Sequence, residues 1–286
     1  MKRVLLTGAS GFIGTHLKAK LLGLGFEVIG LSSIDGNIAD GTFWHQLNGE
    51  GFEHVYHLAA KTFVPESWEN PGSFFAVNAG GTQHALEFCR RYNIGLTYMS
   101  AYLYGQPQRL PIAEDCPIEP NNPYGLSKYL AEQLCHFYTE HYSIPVSIIR
   151  PFNVYGRGQS NNFLIPSIIR QAMNETEIKI KDIYPKRDYL YIDDLVEAMM
   201  LSANLRTYNV YNIGSGYSVS VGQIIELVQG ILGSNKPVVS AEEIRKNEIN
   251  DVIADISKAN RELNWFPKYS ILTGLEEVIR FAQEEG

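Results

Sequence analysis

The chain has 286 residues, 45% of them hydrophobic and 19% charged, with a formal net charge of -7. This is the composition of an ordinary globular protein, long enough for one large α/β domain or a domain plus a small lobe. The acidic balance argues against a nucleic-acid partner, and no apolar run is long enough to cross a membrane. Cys89, Cys116 and Cys135 are too scattered for a disulfide framework or a metal site, so no metal is expected and a reducing, cytoplasmic location fits. The apolar run behind Met1-Lys2-Arg3 breaks at Thr7-Gly8, too early for a signal peptide.

Val4-Leu5-Leu6 reads as a short buried strand and Thr15 to Leu24 as a helix. The turn joining them is Thr7-Gly8-Ala9-Ser10-Gly11-Phe12-Ile13-Gly14. Gly8 lets the chain turn sharply, Gly11 lets a phosphate approach the backbone, and Gly14 lets the helix pack on the sheet. The helix start, with Ser10, Phe12 and Ile13, then faces a pyrophosphate with free N–H groups. A dinucleotide cofactor is the reading.

Glu27 to Leu31 reads as the second strand. An acid at its end would favour NAD, but Ser32-Ser33 stand there. Two hydroxyls without an acid lean toward NADP(H); the plain alternative is that both serines are loop residues. Ile34 to Asp40 reads as a short link into a third strand, with Asn37-Ile38 against the adenine and Asp40 capping a helix from Gly41. His54 to Ala60 reads as the fourth strand. Its small end, Leu58-Ala59-Ala60, leaves room for the cofactor, and His57 is taken as a core residue. Pro71 to Tyr92 reads as one helix, with Asn78 and Gly80-Gly81-Thr82 inside it for close packing.

Gly95 to Ser100 reads as the fifth strand, and Gln106 to Pro123 as a proline-rich surface loop. Pro123 opens a helix to about Tyr142, and Val146 to Arg150 reads as the sixth strand. Helices are then expected at 163–173, 191–205, 219–232, 257–263 and 272–284. Strands are expected at 177–181, 209–213, which rejoins the main sheet, and 238–240.

Tyr124 and Lys128 lie four apart on one helix face. An ammonium near a phenol favours the phenolate, which gives a proton donor and acceptor near neutral pH. Lys128 can also hold nicotinamide-ribose hydroxyls, and Ser100 can donate a second hydrogen bond to a substrate oxygen.

Together these segments resemble the extended short-chain dehydrogenase/reductase family of nucleotide-sugar epimerases, dehydratases and reductases. The matching pieces are 7–14, 57–60, 78–82, 100–105, 124–128, 150–156, 187–194 and 212–214, nearly the whole chain. The resemblance implies a Rossmann-type doubly wound parallel sheet and a smaller C-terminal α/β lobe. Residues 1–156 would form the dinucleotide domain, with 188–214 returning to it. Residues 157–187 and 215–286 would bind the nucleotide-diphosphate sugar. It also implies a homodimer through the helices near Pro71 and Pro123. Ser100, Tyr124 and Lys128 match the family's catalytic triad, and Asn78, Pro151 and Phe152 its cofactor site. Thr62, Ala101, Tyr102, Asn153, Phe163, Arg187 and Asp251 fall where it meets substrate, with Asn153 and Arg187 on the diphosphate. The plain alternatives are that Arg187 pairs with Asp188 or Asp193, and that Asn153 caps a turn.

Dehydratases of the family carry Asp-Glu after the triad serine; here Ala101 and Tyr102 follow, so dehydration is not expected. Pro151 replaces an aromatic of many epimerases, and Arg150-Pro151-Phe152-Asn153 is similar to the 4-ketoreductase branch. Arg245 to Asp251 replaces the usual Arg-x-Gly-Asp, with Asp251 aligned. The expectation is reduction of a 4-keto-6-deoxy sugar nucleotide by NADP(H) or NAD(H), with a UDP-sugar 4-epimerase as the alternative. A non-catalytic cofactor-binding protein is the remote third. Such proteins commonly lose the tyrosine or lysine, and both are present here.

Overall fold

The computed structural model describes residues 2–241 and 249–285, which divide into two compact units. The first comprises the described residues of Met1–Gly105, Pro117–Pro151 and Val196–Tyr211. Its elements are β1 (Arg3–Thr7), α1 (Phe12–Gly23), β2 (Glu27–Leu31), α2 (Gly41–Gln46), β3 (Phe52–His57), α3 (Val64–Glu69) and α4 (Pro71–Phe74). A π-helical turn (Phe75–Gly80), α5 (Gly81–Tyr92), β4 (Gly95–Met99), α6 (Pro123–Tyr142) and β5 (Val146–Pro151) follow. The chain returns at Val196, within α7 (Ile192–Ser202), and leaves at Tyr211, within β6 (Asn209–Ile213).

The strands form one six-stranded sheet in the order β6-β5-β4-β3-β1-β2. Neighbours from β2 to β5 are parallel, with Val4 opposite both Val28 and His54. Parallel strands covered on both faces need continuous apolar runs, and Val4, Leu5 and Leu6 are at most 1% exposed. On one face Ala85, Phe88 and Cys89 of α5 and Ala131, Cys135 and Tyr138 of α6 pack with Leu5, Val55, Leu96 and Ile148. Strand order reverses at β1 and β3, which makes the carboxyl ends of those strands the expected ligand edge.

Two expectations about this unit are corrected. Residues 34–40 contain no strand. Asp35 accepts from the Ser32 amide (2.7 Å) and Asn37 from the Ala39 amide (3.0 Å), so local side chains take the amides a strand would need. The helix expected from Pro71 to Tyr92 is interrupted by the π-helical turn, with Asn78 inside it. Asp40 does cap α2, accepting from the Thr42 amide at 2.9 Å. Asn122 caps α6, accepting from the Gly125 amide at 2.8 Å, with Pro123 in the first turn. Such a cap stabilises a helix start by about 1 kcal/mol.

The second unit comprises the described residues of Gln106–Cys116, Phe152–Leu195 and Asn212–Gly286. The return to the first unit is thus 196–211, shorter than 188–214, and 152–156 belong to the second. Small two-stranded pairings join Asn153–Tyr155 to Tyr189–Tyr191, Lys186–Arg187 to Val219–Ser220, and Ile178–Ile180 to Val238–Ser240. Helices span Leu164–Asn174, Val221–Leu232, Ser257–Leu263 and Ile271–Glu285. The loop expected on the surface at 106–123 is partly internal. Ile112 is 0% exposed and exchanges backbone hydrogen bonds with Ile253 and Asp255. Among the described residues no helix is long and apolar enough to cross a membrane.

Candidate active site

The turn after β1 has the form its glycines imply. Gly8 sits at φ +73°, and a Cβ there would meet the Ala59 amide nitrogen at 2.8 Å. Gly14 packs closer still, its added Cβ falling 2.0 Å from the Gly8 carbonyl oxygen. A Cβ on Gly11 meets only that oxygen, at 3.3 Å. The first amides of α1, from Phe12, Ile13 and Gly14, have no intrahelical acceptor, and no acid stands in the first turn. This is a cradle that side chains would fill, and its donor set fits a pyrophosphate.

Thr7 fixes the neighbouring strand end. Its carbonyl accepts from Leu58 N (3.3 Å), and its hydroxyl accepts from Ala59 N (3.2 Å). The same hydroxyl is hydrogen-bonded to His57 Nδ1, 2.8 Å away. His57 is a core residue, 1% exposed, and burial lowers its pKa to about 3. Leu58, Ala59 and Ala60 are half-buried beside the glycine turn.

At the end of β2 the acid-free reading is corrected. Asp35 turns back, and its carboxylate accepts from both the Ser32 amide (2.7 Å) and the Ser32 hydroxyl (2.8 Å). Ser33 is exposed. Asn37 is exposed, whereas Ile38 packs against the core cluster and its carbonyl accepts from Trp44 Nε1 at 2.8 Å. A Cβ on Gly81 would meet the Ile38 side chain at 2.8 Å, which explains a glycine at that helical position.

Asn78 is 1% exposed and ties three segments together. Its amide nitrogen donates to the Lys61 carbonyl (3.0 Å) and to Ser127 Oγ (2.9 Å), and its oxygen accepts from Lys61 N (2.8 Å). Ser127 in turn donates to the Tyr124 carbonyl at 2.7 Å. Asn78 therefore links the segment after β3 to the first turn of α6, where Tyr124 stands.

Tyr124, half-buried, and Lys128, 2% exposed, lie on α6. Lys128 Nζ donates to the Met99 carbonyl at the end of β4 and lies 4.4 Å over the Tyr98 ring. Burial lowers Lys128 to about 7, partly opposed by Glu132. Burial also raises Tyr124 to about 12. The expected acidification of the phenol by Lys128 is thus not found here, because the ammonium is turned to Met99 and desolvation governs the phenol. Ser100, 4% exposed, donates to Glu132 Oε1 at 2.5 Å, so its proton is not directed at a substrate oxygen as expected. Arg150 clamps the same carboxylate through Nε (3.0 Å) and Nη2 (2.6 Å), and its Nη1 donates to the Tyr104 hydroxyl (2.8 Å).

Glu132 and Tyr104 are site residues that sequence reasoning missed. A signal was available: Glu132 follows Tyr124 and Lys128 at the same four-residue spacing, a carboxylate on a helix face that turns inward. Thr62 is exposed and Ala101 buried, and Tyr102 donates to the Gly105 carbonyl at 2.8 Å. Pro151 and Phe152 are buried.

In the second unit, strand pairing brings Asn153 beside Tyr189, next to Arg187. Asn153 donates to the Asp188 carbonyl from its backbone (3.0 Å) and side chain (3.3 Å). Arg187 donates to the Lys186 (2.8 Å) and Ile249 (2.6 Å) carbonyls. Asp188 is engaged by the Ser215 amide and hydroxyl and by the Gly216 and Ala254 amides, while Asp193 meets Arg157 at 3.3 Å. Phe163 is 55% exposed, and Asp251 is half-buried, with Oδ1 lacking a hydrogen-bond partner among the described residues. Arg245, Lys246, Asn247 and Glu248 lie outside the described residues.

Residues 4–214 match the NAD dependent epimerase/dehydratase family. The UDP-glucuronate 4-epimerase of Thermodesulfobacterium geofontis is 30% identical, over 98% of this chain and 96% of that protein. The GDP-6-deoxy-D-mannose reductase of Pseudomonas aeruginosa is 28% identical, over 97% and 96%. Among solved structures, the UDP-glucose 4-epimerase of Thermotoga maritima with UDP-glucose superposes with a TM-score of 0.93 at 28% identity, covering 99% of each chain. The chain belongs to the NAD dependent epimerase/dehydratase family, whose Rossmann sheet and glycine cradle it carries, and is an extended short-chain dehydrogenase/reductase.

Proposed function

We infer that the chain moves hydride at C4 of a nucleotide-diphosphate sugar, with Tyr124 as the group that holds or releases the proton of the C4 oxygen. The observation that carries this reading is local to the first unit. Tyr124 and Lys128 share one face of α6, and Lys128 and Ser100 are both anchored at the carboxyl end of β4. When bound, the nicotinamide would accept or supply the hydride. The cradle of Gly8, Gly11 and Gly14 would hold its pyrophosphate. Tyr124 takes the proton when the alcohol is oxidised and returns it when the ketone is reduced. Lys128, anchored on the Met99 carbonyl, orients a ribose. Asn153, Arg187 and Asp251 are the residues proposed for the substrate diphosphate in the second unit.

The finer reading is a 4-epimerase using NAD. Asp35 supports it: a 2′-phosphate would have to displace a carboxylate from the Ser32 amide and hydroxyl. The likeness to UDP-sugar 4-epimerases supports it too. The 4-ketoreductase of the sequence reading keeps one observation in its favour, Arg150-Pro151-Phe152-Asn153, together with the likeness to a GDP-6-deoxy-mannose reductase. Purified protein is tested with UDP-glucose, UDP-glucuronate and a 4-keto-6-deoxy sugar nucleotide. Interconversion of C4 isomers without net change at 340 nm supports the epimerase, and steady loss of NAD(P)H absorbance supports the reductase. Tyr124→Phe retains cofactor binding and loses turnover by about 100-fold or more; full turnover in that variant overturns the reading.

The chain is further proposed to act as a homodimer. Leu126, Leu130 and Phe137 on α6 are 40%, 42% and 48% exposed, an apolar row that a second copy would cover.

A further inference from the structure

One buried carboxylate, bonded to Ser100, has no part in the mechanism above. Glu132 is 1% exposed and lies two turns beyond Tyr124 on the same helix. Three elements converge on it: Ser100 after β4, Arg150 on β5 and Lys128 one turn earlier on α6. Arg150 occupies both carboxylate oxygens, and its remaining nitrogen is held by Tyr104. The clamp fixes the carboxylate plane, and one of its oxygens faces Ser100 at 2.5 Å.

The chemistry of that contact is asymmetric. A carboxylate only accepts, and a serine hydroxyl has one proton and two lone pairs. Ser100 must therefore donate to Glu132, which leaves only lone pairs for any other neighbour. A buried ion pair alone would be weak grounds for function, since such pairs also serve folding. Here the pair ends on the serine that the site reading puts beside the reacting oxygen.

We propose that Glu132 is the positioning residue for Ser100: it takes the hydroxyl's only proton, so that Ser100 meets the reacting centre as a hydrogen-bond acceptor and proton transfer is left to Tyr124. Ser100 then accepts from the Tyr124 phenol or from a sugar hydroxyl. The inference rests on the Tyr124 and Lys128 reading of the site.

The test is a double-mutant cycle with Glu132→Gln and Ser100→Ala. The carboxamide keeps the size of Glu132 but replaces one accepting oxygen by an NH2 donor, so it cannot accept from Ser100 and both Arg150 nitrogens at once. Glu132→Gln lowers kcat by roughly tenfold or more with Ser100 present, and changes it within about twofold when Ser100 is already Ala. Equal factors in both backgrounds assign Glu132 a structural role and overturn the proposal. NADH binding by fluorescence shows which variants are folded. Glu132→Asp keeps the charge beside Arg150 and shortens the reach to Ser100, and replaces the Gln variant in the cycle if that one does not fold.

A second arm needs no substrate. Ser100→Cys is titrated by thiolate absorbance at 240 nm against the wild-type chain. A facing carboxylate raises the thiol pKa, and changing Glu132 to Gln lowers it by about one unit or more. A thiol indifferent to residue 132 overturns the proposal. Tyr124→Phe, run beside the cycle, separates the failures: full turnover there refutes the site reading, whereas an additive cycle with inactive Tyr124→Phe refutes the Glu132 role alone.

Discussion

Gly11 and Gly14 are three residues apart, and the structure gives them opposite sensitivities. A methyl group on Gly14 would sit 2.0 Å from the Gly8 carbonyl oxygen and 2.9 Å from its carbon, whereas ordinary contact begins at 3.4 Å. The shortfall of 1.4 Å is against backbone, so α1 or the turn has to move. Overpacking typically costs about 1–3 kcal/mol, and a backbone clash of this size belongs at or above about 3 kcal/mol. That is a large part of a total stability of about 5–15 kcal/mol. Gly11 differs. Its φ of -75° suits any residue, and its added Cβ meets one atom at 3.3 Å. Alanine is a poorer N-cap than glycine by about 0.5–1 kcal/mol. The lost freedom of the unfolded chain returns about 0.4–1 kcal/mol, so the net is near zero. The methyl instead fills the space read as the phosphate cradle, and NAD affinity falls by roughly tenfold or more. Urea unfolding and NAD titration of Gly11→Ala and Gly14→Ala measure both quantities. Equal stability loss in the two variants, or wild-type NAD affinity in Gly11→Ala, refutes the reasoning.

Other predictions concern the cofactor and pH. Asp35→Ala removes the carboxylate from Ser32, and the ratio of NADPH to NADH use rises by roughly tenfold; an unchanged ratio would remove Asp35 from cofactor choice. His54 and His57 are buried, and burial lowers both to about 3. The unfolded chain takes up protons near pH 6.5 that the folded chain refuses until about pH 3, so stability is lost as pH falls through that window. The slope is up to about 1.4 kcal/mol per pH unit for each histidine. His54→Gln retains a partner for the Thr97 hydroxyl and removes one histidine's share. Urea midpoints between pH 7 and 4 check it, and an unaltered slope would show that His54 does not titrate as inferred.

Much of the fold was legible because it is set by residues close in the chain. The apolar run of β1, the glycine spacing after it, the Asp40 and Asn122 caps and the Pro123 start of α6 all act over a few residues, and the structure has each where the pattern put it. Tyr124 and Lys128 share a face because a helix turns every 3.6 residues. Other features required distant groups. The π-helical turn holds Asn78, whose partner Ser127 is 49 residues away. Ser100 is 32 residues from the carboxylate that takes its proton, and Arg150 is 18 residues from it on another strand. Desolvation, which sends Tyr124 up and Lys128 down, exists only once the elements pack. The sequence by itself determined which elements form and which reactive groups they carry. Only the tertiary structure decided where the protons and charges point, because hydrogen-bond partners and the loss of water are set by what folding brings together.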